Sequence, residues 1–352
     1  MRLTQVMLAK GFGGGERWFV DLSLALAEAG HSVQAICHKR FTAAAMLSRH
    51  EAIEVVQVDV RGWWDLIARW RIEKAIAGFR PDVLHAHFAR GAYLVGRVGK
   101  RLRKPVVVTT HNYVDLSYYR DIDLFVTTTA DQRAYLLANG IVADRVTTIP
   151  HFTLLQPTGS AVRHVRETAT LLSFGRMVKK KGFDVLLRAF AALLRSGVAA
   201  RLIIGGDGEE RQALAALAAE LDISEQVSFS GWIDDVGAAL AEADIFVLPS
   251  LDEPFGIVVL EAMAAGVPIV ATRTRGPVEI LSDHTAYFAE IGDVETLALA
   301  MRQAVGDREA RTARANHALA RFRTHYTSGA VLPQYEDAYR RALALVPPQG
   351  AG

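Results

Sequence analysis

The sequence predicts an α/β protein made of two doubly wound domains, each with a parallel sheet between layers of helices. Apolar runs typical of buried strands alternate strictly with helical stretches along the chain. The alternation pauses once, over residues 154–167, and then starts again. The chain has 352 residues, 51% of them hydrophobic, which is enough for two cores of ordinary size. Strict alternation favours parallel strands, because a crossover helix returns the chain to the same end of the sheet.

The first half of the chain contains seven predicted strands and five predicted helices. The first helix places Phe19, Leu22 and Leu26 on one side, as expected of a helix that packs on a sheet. The predicted strands are residues 3–9, 32–37, 53–58, 82–85, 106–109, 124–128 and 146–149, and the helices are 16–29, 43–48, 64–77, 89–101 and 131–138.

The second half repeats the pattern and ends in three helices. The last of them places Tyr335, Ala338, Tyr339 and Leu343 on one side. The predicted strands are residues 170–174, 201–205, 227–230, 245–248 and 268–271, and the helices are 183–195, 210–221, 236–241, one opened by Gly256, 294–304, 308–323 and 332–345. We therefore expect domains at residues 1–157 and 158–325, a final segment at 326–352, a linker at 154–167 and a loose tail at 347–352.

Composition excludes several classes of protein. No apolar run approaches the roughly 20 residues that cross a bilayer, and the N-terminus becomes polar too early for a secretory signal. Cys37 is the single cysteine, so no disulfide can form within the chain. Residues 1–157 hold 20 Lys and Arg against 14 Asp and Glu, but no basic–aromatic nucleic-acid motif is present. We expect a cytoplasmic protein whose basic half suits an anionic acceptor or membrane face.

The most informative stretch is SLDEPFGIVVLEAMAAGVPIVAT, residues 250–272. It follows a predicted strand, and Gly256 opens a helix whose first N–H groups and dipole favour an anion. Glu253 and Glu261 lie eight positions apart on either side of this helix start. Carboxylates repel phosphate but bind sugar hydroxyls, so the pattern indicates a nucleotide sugar. Alternatively, Glu253 only complements the helix dipole and Glu261 is a solvated helix residue.

EPFGIVVLEAMAAGVPIVAT resembles the E-x7-E signature of the retaining family 4 glycosyltransferases. The resemblance implies the GT-B architecture: two Rossmann-like domains facing a cleft, with the last helix crossing back to the first domain. It also implies that Glu253 binds hydroxyls of the donor sugar and Glu261 the nucleotide ribose. The other donor-binding residues that it implies in this stretch are Phe255, Gly256, Ile257 and Val258.

A basic turn, FGRMVKKKGFD, follows the first strand of the second domain. Arg176 lies at the strand end and Lys181 lies just before the next helix. Two cations at this place can neutralise a diphosphate and stabilise the charge that develops on it as it leaves. The turn is similar to the G-R-x4-K-G element of the family, which assigns Arg176 and Lys181 to the pyrophosphate. The plain alternative is a solvated basic loop.

A glycine loop, GFGGGER, joins the first strand and helix. A dinucleotide fingerprint would need its third glycine one position later, where Glu16 stands, and no acidic residue ends the second strand. The loop is instead similar to the GGxER element of family 4, which implies that Gly14 and Gly15 contact the donor phosphate from the opposite domain. The alternative is a simple tight turn.

Two further segments of the second domain resemble family elements. GGDGEER implies a place near the donor for Gly206, and GWIDDV implies backbone contacts to the base around Trp232 and Ile233.

Three histidines of the first domain invite a functional interpretation. His111 ends the strand VVVTT, and by resemblance it lines the acceptor side of the donor sugar, although a histidine at a strand end is more often structural. The resemblance thus assigns catalysis to His111, Glu253, Arg176 and Lys181. His85 and His87 alternate on a strand and could share one metal, but no third ligand has suitable spacing, so no metal is expected.

Residues 61–80 mix aromatic and basic side chains. Trp63, Trp64 and Trp70 stand among Arg69, Arg71 and Lys74, a composition that suits a membrane interface. The alternative, which the sequence alone slightly favours, is a packing helix with an exposed basic side.

We predict a retaining, metal-independent hexosyltransferase. It would use an NDP-sugar, UDP- or GDP-linked, without any cofactor. Its acceptor would be a saccharide or a lipid-linked saccharide in lipopolysaccharide or other surface-polysaccharide synthesis, with peripheral contact to the cytoplasmic face of the inner membrane. The alternatives are another GT-B enzyme, such as a sucrose- or trehalose-type synthase or a sugar-nucleotide epimerase, or a non-catalytic nucleotide-sugar-binding protein.

Overall fold

The computed structural model describes residues 1–11, 13–161 and 167–346. The chain divides into two compact units, one of which combines the segment up to Phe152 with the segment that starts at Ser328, while Thr153–Thr327 forms the other. The predicted boundaries were residues 157/158 and 325/326. The predicted tail at 347–352 lies outside the described residues, as do residues 162–166 of the predicted linker.

The first unit is built on a parallel sheet with strand order β3-β2-β1-β4-β5-β6-β7 in the described residues. The five residues of β5 are all buried, as expected of a strand with helices on both faces. The strands are β1 (Arg2–Met7), β2 (Ser32–His38), β3 (Ile53–Val58), β4 (Val83–His87), β5 (Val106–Thr110), β6 (Leu124–Thr127) and β7 (Val146–Thr148). The helices are α1 (Gly14–Glu28), α2 (Ala44–Leu47), α3 (Leu66–Phe79), α4 (Phe88–Leu102) and α5 (Ala130–Ala138).

The second unit is built on a parallel sheet with strand order β10-β9-β8-β11-β12-β13 in the described residues. Its strands are β8 (Ala169–Phe174), β9 (Ala200–Gly205), β10 (Val227–Gly231), β11 (Ile245–Leu248), β12 (Ile269–Thr272) and β13 (Tyr287–Ala289). Its helices are α6 (Phe183–Arg195), α7 (Arg211–Glu220), α8 (Val236–Glu242), α9 (Ile257–Ala264), α10 (Arg275–Ile280), α11 (Val294–Gly306) and α12 (Arg308–His325).

The final helix, α13 (Ser328–Leu345), belongs to the first unit. Tyr335 and Tyr339 are fully buried there, on the side that the sequence pattern predicts. The predicted start of this helix at residue 332 is wrong, because the helix starts at Ser328. Gly329 and Pro333 are poor helix formers, so the sequence of the first turns does not look helical. The short strand β13 and helix α10 are also absent from the prediction.

The described part of the predicted linker is attached to the second unit. The Thr158 N–H donates to the Ala264 carbonyl (2.9 Å), and the Ala161 N–H donates to the Asn316 side chain (3.2 Å). Among the helices of the described residues, none is long and apolar enough to cross a bilayer.

Candidate active site

Four loops of the second unit leave the carboxyl ends of neighbouring parallel strands, and so they share one edge of the sheet. From β8 the chain builds outward through β9 and β10, and it then restarts at β11 on the other side of β8. The point between β8 and β11 is therefore the topological switch point of this sheet. Open α/β sheets bind their ligands at such a point.

An ion pair between Lys181 and Glu253 lies at this switch point. Lys181 ends a short 3-10 turn that follows β8, and Glu253 lies in the loop after β11. The Lys181 Nζ lies 2.5 Å from the Glu253 Oε2, and the two side chains are only 17% and 11% exposed. The Ser250 hydroxyl donates to the same oxygen at 3.4 Å. The structure thus joins two residues that the sequence pattern identifies separately.

Glycine at residue 182 lets the two loops approach each other. Gly182 has a φ of +66°, and a Cβ added there would lie 2.2 Å from the Pro249 carbonyl oxygen. The Leu251 N–H donates to the Lys180 carbonyl at 2.8 Å, which fixes the contact. The lysine turn therefore lies against the glutamate loop only because residue 182 lacks a side chain.

Gly206 makes a similar approach to the loop after β8. Its φ is +113°, its N–H donates to the Gly231 carbonyl (2.5 Å), and an added Cβ would lie 2.0 Å from the Gly175 oxygen. The role expected for Gly206 near the donor stays a prediction, but its backbone does connect the loops after β8, β9 and β10.

Arg176 and Trp232 are exposed at the same edge. Within the described residues, the Arg176 guanidinium makes no ion pair or hydrogen bond, in contrast to the amine of Lys181. Trp232 is 53% exposed. Ile233 packs against Gly205, where an added Cβ would lie 2.3 Å from the Ile233 Cδ1. An exposed cation and an exposed ring leave this edge able to bind an anion and a planar base.

The helix α9 starts at Ile257, with Gly256 as its N-cap residue at a φ of +98°. Glu261 is 3% exposed, so its interpretation as a solvated helix residue is wrong. Phe255 is buried, and its backbone lies against Gly276, where an added Cβ would lie 2.3 Å from the Phe255 Cα. Ile257 and Val258 are half-buried on the first turn of α9.

In the first unit, the glycine loop ends at the start of α1. The Glu16 carboxylate accepts a hydrogen bond from the Gly13 N–H (3.1 Å), so Glu16 caps the helix. A Cβ added to Gly15 would lie 2.4 Å from the Phe88 Cζ. Phe88 has a φ of +60°, which is unusual for a bulky residue, and its ring centroid lies 4.8 Å from that of His111. No feature of the sequence predicts that Phe88 lies between Gly15 and His111.

His111 is half-buried and contacts other histidines through both ring nitrogens. Its Nε2 lies 3.1 Å from the His87 Nδ1, and its Nδ1 lies 3.4 Å from the His151 Nε2. Burial lowers the pKa of His111 to about 3, so the ring is neutral near pH 7. We therefore expect His111 to contribute hydrogen bonds rather than a positive charge.

His85 and His87 use their ring nitrogens in separate hydrogen bonds. His85 contacts Tyr339 and Thr109, whereas His87 contacts Gln5 and His111. Within residues 1–11, 13–161 and 167–346, no group of three or more His, Cys, Asp or Glu side chains is arranged to hold a metal ion.

The aromatic segment of the first unit divides into two sides. Ala68, Ile72, Ile76 and Phe79 of α3 are buried and pack against the core. Five large apolar side chains on the other side are 54–67% exposed, namely Trp63, Trp64, Leu66, Ile67 and Trp70. We call these five residues the tryptophan surface. The helix does pack, as one interpretation predicted, but Trp70 on the helix and the two tryptophans that precede it remain exposed.

Comparison with known proteins defines the class. The family model "Glycosyltransferase Family 4" matches residues 12–153, and "Glycosyl transferases group 1" matches residues 161–321. The structure of Anabaena HepE with UDP and glucose has a TM-score of 0.84 at 18% identity, covering 97% of this chain and 99% of that one. The structure of WaaG, a glycosyltransferase involved in lipopolysaccharide biosynthesis, has a TM-score of 0.71 at 18% identity, covering 96% and 98%. The fold is GT-B, as predicted.

A sequence relative identifies the family. The lipopolysaccharide core biosynthesis glycosyltransferase LpsE of Rhizobium meliloti is 31% identical over 373 residues, covering 99% of this chain and 100% of that protein. The LpsD protein of the same organism is 29% identical, covering 94% and 96%. This chain belongs to the family 4, or group 1, glycosyltransferases. The predicted family is thus confirmed, while the roles assigned to individual residues stay predictions.

Proposed function

We propose that this glycosyltransferase moves a hexose from a nucleoside-diphosphate sugar to a saccharide or lipid-linked acceptor, with retention of anomeric configuration, in the synthesis of lipopolysaccharide or another surface polysaccharide. The observation that carries the proposal is the Lys181–Glu253 pair at the switch point of the second sheet. The names of LpsE and LpsD support the pathway, and the UDP and glucose bound to HepE support the donor class.

The chemistry follows from the charges at this edge. Transfer breaks the bond between the sugar C1 and the diphosphate oxygen, and negative charge develops on the diphosphate as it leaves. The Lys181 amine has three N–H donors, and one directed to Glu253 orients it while the others remain for phosphate oxygens. Arg176 adds a second, exposed cation. These two cations supply the charge that a metal ion would otherwise provide, so we propose a metal-independent reaction.

Glu253 would have two functions in this scheme. Its Oε2 accepts from Lys181 and, more weakly, from Ser250. The carboxylate has further lone pairs that can accept hydrogen bonds from donor sugar hydroxyls. The acceptor hydroxyl would attack C1 on the face that the diphosphate leaves and pass its proton to the departing diphosphate oxygen, and we assign no protein nucleophile.

The assay for this function uses purified protein with UDP-, GDP- and ADP-linked hexoses, first with water and then with core oligosaccharide as acceptor. We expect one donor to release its nucleoside diphosphate at the same rate with and without EDTA. If that donor is α-linked, proton NMR should show an α product before mutarotation. A β product would contradict retention. The absence of release with every donor would favour the non-catalytic alternative, and an isomerised sugar nucleotide would favour an epimerase.

We also propose that the tryptophan surface contacts an anionic lipid membrane. Tryptophan prefers the boundary between headgroups and acyl chains, and the cations beside it can bind lipid phosphates. Arg61, Arg71 and Lys74 are exposed on the same segment, and Lys74 lies 5.4 Å from the Trp70 ring centroid. Of the nearby carboxylates, Asp65 caps α3, Glu73 pairs with Arg101 and Glu54 accepts from Gln34. Within the described residues, the side chains of Arg61, Arg71 and Lys74 form no ion pair with a carboxylate and remain available for lipid phosphates. This positive charge favours an anionic lipid surface over a protein partner with few acidic residues.

A further inference from the structure

A row of buried polar side chains runs from the last helix to His111. The Gln5 Nε2 donates to the Tyr339 hydroxyl (3.1 Å), and the Gln5 Oε1 lies 2.9 Å from the His87 Nε2. His87 contacts His111, and His111 contacts His151. Gln5, His87 and Tyr339 are 0% exposed, and His151 is 3% exposed. We call Gln5, His87, His111 and His151 the histidine row.

Each member of the row determines the proton position of the next. A neutral imidazole has one donor nitrogen and one acceptor nitrogen. Because the Gln5 Oε1 can only accept, the His87 Nε2 carries the hydrogen and its Nδ1 must accept. The His111 Nε2 then donates to that Nδ1, and the His111 Nδ1 accepts from the His151 Nε2. One choice, made at Gln5, therefore fixes the tautomer of all three histidines.

Tyr339 of the last helix takes part in that choice, because its hydroxyl accepts a hydrogen bond from the Gln5 amide nitrogen. With its amide nitrogen directed at the Tyr339 hydroxyl, Gln5 must direct its oxygen at His87. The Tyr339 hydroxyl in turn donates to the His85 Nδ1 (2.9 Å), and the His85 Nε2 donates to the Thr109 hydroxyl (2.8 Å). Without this hydroxyl the Gln5 amide could turn over, and every histidine of the row would then reverse its tautomer.

We propose that His87, oriented by Gln5 and Tyr339, is a positioning residue that holds His111 with its hydrogen on Nε2 and an acceptor lone pair on Nδ1. The Nδ1 contact to His151 is the longest of the row at 3.4 Å, so a sugar hydroxyl that donates to Nδ1 would replace the His151 Nε2–H at the single lone pair of that nitrogen. This role rests on the proposed function, since His111 is expected beside the transferred sugar. The Phe88 ring also packs against the His111 imidazole, with the ring centroids 4.8 Å apart.

Histidine ¹⁵N NMR tests the proposal directly, because the shifts of the two ring nitrogens identify the tautomer. In the full chain, labelled at histidine and assigned by single substitutions, we expect His87, His111 and His151 all to carry their hydrogen on Nε2 between pH 6 and 8. A hydrogen on the His111 Nδ1 would overturn the proposal, whether or not any transfer activity is found.

Two tyrosines of the same helix provide a matched pair of variants. Tyr339→Phe removes the hydroxyl that orients Gln5, whereas Tyr335→Phe removes one that lies 3.4 Å from Thr109 and does not contact the row. We expect Tyr339→Phe to give mixed tautomers at His111 and to lower kcat about tenfold, as the loss of one oriented hydrogen bond would. Tyr335→Phe should retain the wild-type spectrum and rate. Unchanged spectra in both variants would contradict the proposal, whereas predicted spectra without any transferase activity would contradict only the proposed function.

Discussion

Replacing Lys181 by methionine is expected to lower kcat by about 10²–10³-fold, the usual loss when one preorganised donor to a developing negative charge is removed. Methionine keeps the length of the side chain but removes the cation that faces Glu253. A control at the neighbouring Lys180, which is exposed, removes the same charge from the same turn. Lys180→Met should therefore retain a rate within about twofold of the wild type.

The same variant is expected to lower the free energy of unfolding by about 1–3 kcal/mol, because it leaves the buried Glu253 carboxylate without its cation. This loss of stability follows from the structure and not from the sequence, because only the structure shows that Lys181 and Glu253 form a mostly buried pair. The double variant Lys181→Met/Glu253→Gln should recover most of the stability in denaturant titrations but none of the rate. Wild-type kcat in Lys181→Met would remove Lys181 from the site.

Loss of the tryptophan surface is expected to lower binding to vesicles of phosphatidylcholine and phosphatidylglycerol by about a hundredfold. The test variant is Trp64→Ser/Ile67→Ser/Trp70→Ser, in which three exposed side chains of this surface are replaced. Sedimentation with the vesicles measures the bound fraction. Binding of the wild type should also weaken as salt rises, because the cations beside the surface act through screened charge.

A second triple variant controls for general surface hydrophobicity. Val142, Ile291 and Leu299 are 49–59% exposed and lie outside residues 61–80. Serine at these three positions should leave vesicle binding unchanged, and neither triple variant should alter the melting temperature by more than a few degrees. Equal binding by the two triple variants, or no binding by the wild type, would contradict the membrane proposal.

The alternation of strands and helices predicts most of the fold, because periodicity is a local property of the sequence. It predicts β11 at its observed bounds and the buried side of α13. It fails where local preference and structure disagree, as in the first turns of α13. The short strand β13 is missed because three residues give too little periodicity to detect.

Sequence motifs point to the residues of the candidate site one by one, but they do not show how these residues are arranged. Lys181 and Glu253 are separated by 72 positions, and only the sheet topology brings them together. Gln5 and Tyr339 are separated by 334 positions, and no sequence pattern links them. The positive φ of Phe88 is a tertiary effect, because isolated phenylalanine disfavours that conformation. Contacts between residues that are far apart in the sequence are therefore visible only in the structure.

We propose that the edge of the second sheet around Lys181 and Glu253 binds a nucleoside-diphosphate sugar. The most direct measurement is the melting temperature of the purified protein as UDP, GDP, ADP, NAD and the corresponding sugar nucleotides are titrated. A ligand that binds only the native state stabilises it by RT ln(1 + [L]/Kd). We predict that one nucleoside diphosphate and its sugar conjugate raise the melting temperature in wild type, and raise it less in Lys181→Met. A rise with NAD alone, or no rise with any of these ligands, would contradict the claim.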